Sequence, residues 1–177
     1  MAKKYVKDYR LSDSLDAKGR IRTEYEYIGG SYYRCADSAT AAAKSRLLVI
    51  LCTIGWVCWL LPLLFNNGSM RLAYISFPFI FAALTLWLLS TSAYTAVTAP
   101  DPMKHKQSDR LTNMLPGTAL ATAILSGIAL IGTCVSAIFR IGELKSYDWL
   151  FGGCAAVVCA VGIIAFSQRK FFRTEER

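Results

Sequence analysis

Four intervals of this 177-residue chain contain no charged side chain: Arg46 to Arg71, Arg71 to Asp101, Arg110 to Arg140, and Asp148 to Arg169. Each is about 20 residues or longer, the length a helix needs to cross about 30 Å of hydrocarbon. An apolar content of 54% would suit a globular protein too, but its segregation into four blocks does not. The reading is an all-α membrane protein: a four-transmembrane-helix bundle of two hairpins, with spans near 46–66, 72–97, 114–139 and 149–168.

Charge placement orients these spans. Of 20 Lys and Arg residues, 17 fall in the N-terminal segment, the second connection and the C-terminal tail, and 3 in the first and third connections. Lys and Arg concentrate on the cytoplasmic side of membrane proteins, so both termini are expected in the cytosol. The net charge of +8 is then a topogenic signal, and nucleic acid is not an expected partner. The first apolar run begins too late, and is too long, for a cleavable signal peptide; span 1 reads as an uncleaved signal anchor. The opening Met-Ala-Lys-Lys suits a bacterial inner (plasma) membrane.

Three regions follow: a cytosolic N-terminal segment 1–37, the transmembrane domain 38–168, and a basic cytosolic tail 169–177. Residues 5–11 alternate, Asp16 to Gly19 suits a turn, and residues 20–28 alternate again with aromatic and β-branched side chains on one face. Gly29-Gly30 can supply the positive φ angles of a tight hairpin, after which SYYRC returns. This pattern predicts a three-stranded β-meander whose Arg22, Tyr25, Tyr27 and Tyr33 are candidate partner-binding residues. Asp37 or Ser38 can cap helix 1. Asn66-Asn67-Gly68 marks the turn between spans 1 and 2, Pro116 suits the first turn of span 3, and Asn67 heads a glycosylation sequon close to the membrane.

Within the spans, Ala119, Ala123 and Gly127, and then Gly152, Ala156 and Ala160, recur every four residues. Small residues let helix backbones approach closely in lipid, where the hydrophobic effect does not drive association. The two ridges predict close packing of spans 3 and 4. Trp56 and Trp59, on one face of span 1, are read as filling grooves beside those small residues rather than lining a ligand cavity. Pro62 and Pro78 can kink their helices and open a pocket at the outer end. Tyr147 and Trp149 are expected at the outer interface. The C-terminal SQRKFFRTEER is expected to prolong helix 4, with Arg169, Arg173 and Arg177 facing anionic lipid.

Several chemistries lack their residues. No Asp, Glu, Lys, Arg or His lies inside a span, whereas such residues mark ion and proton pathways; a proton-coupled transporter and an intramembrane haem protein are disfavoured. The six cysteines form no C-x-x-C, and buried thiols serve as small apolar groups. His105, between lysines, is read as a solvated loop residue, and a metal site needs more ligands. No catalytic, cofactor-binding or metal-ligating residues are assigned, and an enzyme acting on lipids has no candidate catalytic set. The expected function is a non-enzymatic interaction or accessory protein of the membrane. It would present its N-terminal module to a protein partner or to its own oligomer, with membrane lipid as its other partner. The alternative is a small passive channel or transporter of neutral or apolar solutes, lined by Thr53, Thr85, Ser126 and Thr133.

Overall fold

A computed structural model describes residues 8–15, 21–65, 68–139 and 146–176, with the backbone alone at 11–15, 21–26, 146 and 176. Strands β1 (Tyr9–Leu15), β2 (Ile21–Tyr27) and β3 (Tyr32–Arg34) precede helices α1 (Ser38–Leu60) and α2 (Ala73–Thr98). A short helix α3 (His105–Asp109) runs through a π-helical turn at Arg110–Met114 into α4 (Leu115–Phe139). Helix α5 (Ser146–Ser167) ends in a 3-10 turn at Gln168–Phe172, and strand β4 (Thr174–Glu176) closes the described chain. Four helical runs, Ser38–Leu64, Ala73–Thr98, His105–Phe139 and Tyr147–Phe172, are long and apolar enough to cross a membrane. One run covers most of each charge-free interval, and three extend beyond it to include charged residues such as Lys44, Arg110 and Asp148.

Local chemistry accounts for the boundaries. Asp37 is extended (φ −55°, ψ 143°), and α1 begins where the Ala41 N–H donates to the Asp37 carbonyl at 2.8 Å. The Asp37 side chain makes no capping bond. Pro62 sits in the 3-10 turn Leu61–Leu64 that follows α1, so it terminates that helix instead of kinking it. Pro78 does lie inside α2, where its missing N–H leaves the carbonyl four residues earlier without a helical donor. The space at that end is filled by Ile75, Phe79, Ala129, Phe151 and Ala155; Phe79 and Phe151 have ring centroids 4.8 Å apart.

Pro116 falls in the first turn of α4, as expected. Because α4 continues the run that begins at His105, the missing Pro116 N–H still deprives Thr112 of its α-helical donor. The chain responds with the π turn, in which the Leu115 N–H reaches back five residues to the Arg110 carbonyl.

Small and hydroxylated residues share the interior with large ones such as Phe79, Leu86 and Phe151, and the outer face is bulky. Ala82, Ala93, Ala119, Ala129, Ser92, Thr122 and Ser126 are buried, while Ile50, Val57, Phe77, Phe81, Leu84, Ile131 and Ile163 are exposed. Such a distribution suits packing in lipid, where small residues bring backbones together and apolar tails solvate the outer face. The tightest contact joins α4 and α5. A β-carbon on Gly162 would lie 2.7 Å from the Ala123 nitrogen and 2.8 Å from the Ala119 oxygen. One on Gly152 would meet Thr133 at 3.5 Å, and one on Gly127 would meet the Cys159 sulfur at 3.7 Å.

The α4 ridge of Ala119, Ala123 and Gly127 thus meets α5 as expected, but the α5 ridge does not follow the four-residue spacing. Ala156 is half-buried and Ala160 is exposed; Gly152, Ala155 and Gly162 are buried. A strict four-residue step drifts about 40° around a helix of 3.6 residues per turn, so Ala160 leaves the seam. Alternating steps of three and four, through Ala155, Cys159 and Gly162, stay on it.

Both tryptophans of α1 send their indole N–H groups to α2, while their rings pack on core clusters that also include Ala119, Ala129 and Ala155 of α4 and α5. The Trp56 indole N–H donates to Ser90 Oγ at 3.0 Å, and that of Trp59 to the Phe79 carbonyl at 2.8 Å. The two rings meet edge to face at 5.8 Å. An indole N–H away from water needs an acceptor, and α2 supplies both. At the opposite end of the bundle from the strands, Tyr147 stacks on Phe65 at 5.1 Å, and Trp149 is exposed.

Candidate functional site: the terminal face

Three chain segments meet at one end of the bundle. Strand β3 pairs antiparallel with β4, with Tyr32 opposite Glu176, Tyr33 opposite Glu175 and Arg34 opposite Thr174. Tyr32 also forms a backbone bridge with Met103, donating to its carbonyl at 3.1 Å and accepting from its N–H at 2.8 Å. The N-terminal strands, the connection between α2 and α4, and the tail therefore form one surface, called here the terminal face.

This arrangement corrects the three-stranded meander. The strands form two separate two-stranded sheets, β1 with β2 and β3 with β4. Gly29-Gly30 does not turn β2 back onto β3, and Gly29 has no positive φ. Instead Tyr27 curls over this point: its hydroxyl donates to the Gly30 carbonyl at 3.0 Å, and a β-carbon on Gly29 would lie 2.6 Å from that hydroxyl. The tail is corrected as well. The helix stops at Phe172, which is fully buried, and Arg173 is extended. Burial of Phe172 brings the chain back across the bundle end, where the Arg173 carbonyl accepts from the Cys35 N–H at 3.0 Å. Arg169, Arg173 and Arg177 therefore do not form a helical stripe; Arg177 lies outside the described residues.

His105 is not a solvated loop residue. Its imidazole Nδ1 lies 2.9 Å from Asp8 Oδ2, its ring stacks on Tyr32 at 5.4 Å, and its backbone N–H donates to the Tyr27 hydroxyl at 2.8 Å. The ring pairs with a carboxylate 97 residues away in sequence, which fastens the base of the β1–β2 hairpin to the connection. Lys104 Nζ lies 5.6 Å from the Tyr27 ring centroid, a favourable cation–π arrangement.

Arg34 makes a second fastening. Its Nη2 donates to the Ala99 carbonyl at 3.0 Å, and its Nε lies 3.7 Å from Asp101 Oδ1. The hydroxyls of Ser108 and Thr112 each bond to that of Thr174 and tie α3 and the π turn to β4.

The four candidate partner-binding residues have different fates. Tyr27 is held by its own chain. Tyr33 is 38% exposed, although its neighbour Tyr32 packs against the core. Arg22 and Tyr25 are placed by register alone, opposite Ser14 and Leu11; their side chains lie outside the described residues. Each strand of the hairpin has one paired edge and one edge with no partner strand among the described residues. The sequence reading missed Asp148, which is 3% exposed. Its Oδ1 accepts from the Ser69 N–H at 2.8 Å and the Ser69 hydroxyl at 2.9 Å, pinning the first connection to the start of α5. Its position as the lone acid in the first turn of span 4 was the available signal.

Compared with family models, with curated proteins and with solved structures, the chain gives no match. Its class is accordingly defined by its architecture: four apolar helices compatible with a transmembrane bundle, with minor strands at one end.

Proposed function

We propose that the protein is a non-enzymatic accessory protein of the membrane, with its terminal face in the cytosol. It engages a partner protein, or further copies of itself, through the surface around Tyr33 and the open strand edges. The observation that carries this reading is the exposure of Tyr33 beside a half-buried Tyr32, on a strand anchored to the bundle by backbone bonds on both sides. An exposed aromatic on a rigid support is the usual form of an interface anchor, and an unpaired strand edge can accept an added strand. The cytosolic placement is supported by the 17 basic residues on the side that this face occupies.

The hydroxyls expected along a solute path are arranged for packing. Thr53 is exposed on α1 and bonds to the Val49 carbonyl. Thr85 accepts from Thr122 at 2.9 Å, and Ser126 and Thr133 return their protons to carbonyls of their own helix. Site-specific photo-cross-linking tests the interface: a benzophenone side chain at Tyr33 is expected to give a discrete adduct in cells, and one at Tyr147 is not. No adduct from Tyr33, or equal adducts from both, would contradict the proposal.

A further inference from the structure

A second feature lies beside the terminal face, on the flank of the bundle. Trp87, Ser90, Thr91, Tyr94 and Arg110 line a groove of about 250 Å³ between α2 and the π turn. Trp87 and Tyr94 are 61% and 69% exposed. Two of the hydroxyls are committed: Ser90 donates to the Leu86 carbonyl and accepts from Trp56, and Thr91 donates to the Leu88 carbonyl. The Arg110 guanidinium and the Tyr94 hydroxyl have no hydrogen-bond or ion-pair partner among the described residues. The nearest acid in sequence, Asp109, accepts from Asn113 at 2.7 Å.

The groove therefore joins an unpaired cation and an unpaired hydroxyl donor to two exposed aromatic rings. It runs along α2 from Tyr94, about one turn inward from Thr98 where the helix ends, to Trp87, about three turns inward. In a bilayer the Tyr94 end is at the boundary between headgroups and acyl chains, where Tyr and Arg commonly sit, and the Trp87 end is at acyl-chain depth. The π turn that follows from Pro116 widens the helix at Arg110, and such turns recur at functional sites.

We infer that this groove binds one anionic phospholipid of the cytoplasmic leaflet, its phosphate on Arg110 and Tyr94 and an acyl chain along Trp87. Charge complementarity selects the occupant: a guanidinium matches the planar pair of phosphate oxygens, and a second unpaired donor completes the set. This inference rests on the membrane reading, and its test separates the two.

The full chain is extracted in mild detergent and supplied with phosphatidylglycerol, phosphatidylcholine or inorganic phosphate, and bound molecules are counted by native mass spectrometry. One phosphatidylglycerol is expected to be retained over phosphatidylcholine, undisplaced by excess inorganic phosphate. Arg110→Gln should reduce that retention about fivefold, and Tyr94→Phe, which removes only an exposed hydroxyl, about threefold. Arg169→Gln, at a cation packed 4.0 Å from the Phe166 ring centroid, should leave it unchanged. Equal retention of both lipids, or full retention by Arg110→Gln and Tyr94→Phe, overturns the site. Displacement by inorganic phosphate identifies a soluble anion and overturns the lipid assignment. Recovery of the wild-type chain in the aqueous fraction after an alkaline membrane wash overturns the membrane reading itself.

Discussion

Gly162 of α5 lies directly against the backbone of Ala123 in α4, with 2.7 Å between the position of a β-carbon and the Ala123 nitrogen. This contact sets how closely the two helices approach. Gly162→Ala is expected to cost about 1–3 kcal/mol, because backbone atoms cannot yield as a flexible side chain can. Gly153→Ala, where nothing lies within 4 Å, should be neutral or gain up to about 1 kcal/mol from helix propensity. Unfolding in mild detergent, followed by helical circular dichroism, distinguishes them; equal stability would remove Gly162 from the seam.

Asp148 accepts both Ser69 bonds in a buried setting. Asp148→Ala strands the Ser69 N–H and hydroxyl, at about 1–3 kcal/mol for each buried group left unsatisfied. Asp148→Asn keeps a carbonyl oxygen for those donors and should lose less. The same unfolding measurement gives the order, and equal losses would contradict it.

At the terminal face, the His105 and Tyr27 bonds fasten the base of the β1–β2 hairpin to the connection between α2 and α4. Tyr27→Phe and His105→Ala are expected to raise amide exchange in residues 9–15 and 21–27 about threefold to tenfold while leaving the bundle midpoint unchanged. A fall in the bundle midpoint with unaltered exchange would show that the cluster supports the helices instead.

Topology is open to a direct chemical readout. Cys35 is exposed on the terminal face, and Tyr147, 46% exposed, is at the opposite end. In intact cells a membrane-impermeant maleimide should label Tyr147→Cys and spare Cys35, which becomes reactive on permeabilisation. The reverse pattern would invert the orientation.

How much of this was legible in the residues depends on the range of the interactions. The four helices follow from charge-free intervals, a signal local to each span. The α1 start near Ser38 was also local. Strand β4 was not, because TEE acquires its conformation only by pairing with Tyr32–Arg34, some 140 residues earlier. His105 looked solvated because its partners, Asp8, Tyr27 and Tyr32, are assembled by folding. The α5 seam was misread because an Ala-rich helix presents several small-residue stripes, and only contact with α4 selects the one through Gly162. Arg110 entered only as the boundary of a charge-free interval; its place on a groove depends on α2 and on the π turn before Pro116.

Native mass spectrometry of the wild-type protein, released from its own membrane under mild detergent, tests the accessory role most directly. A stable assembly is expected, either further copies of the chain or a defined partner, and it should weaken at least about tenfold on Tyr33→Ala, the cost of losing one aromatic anchor. A lone monomer, in a protein whose cells are indifferent to loss of residues 1–37, would contradict the account.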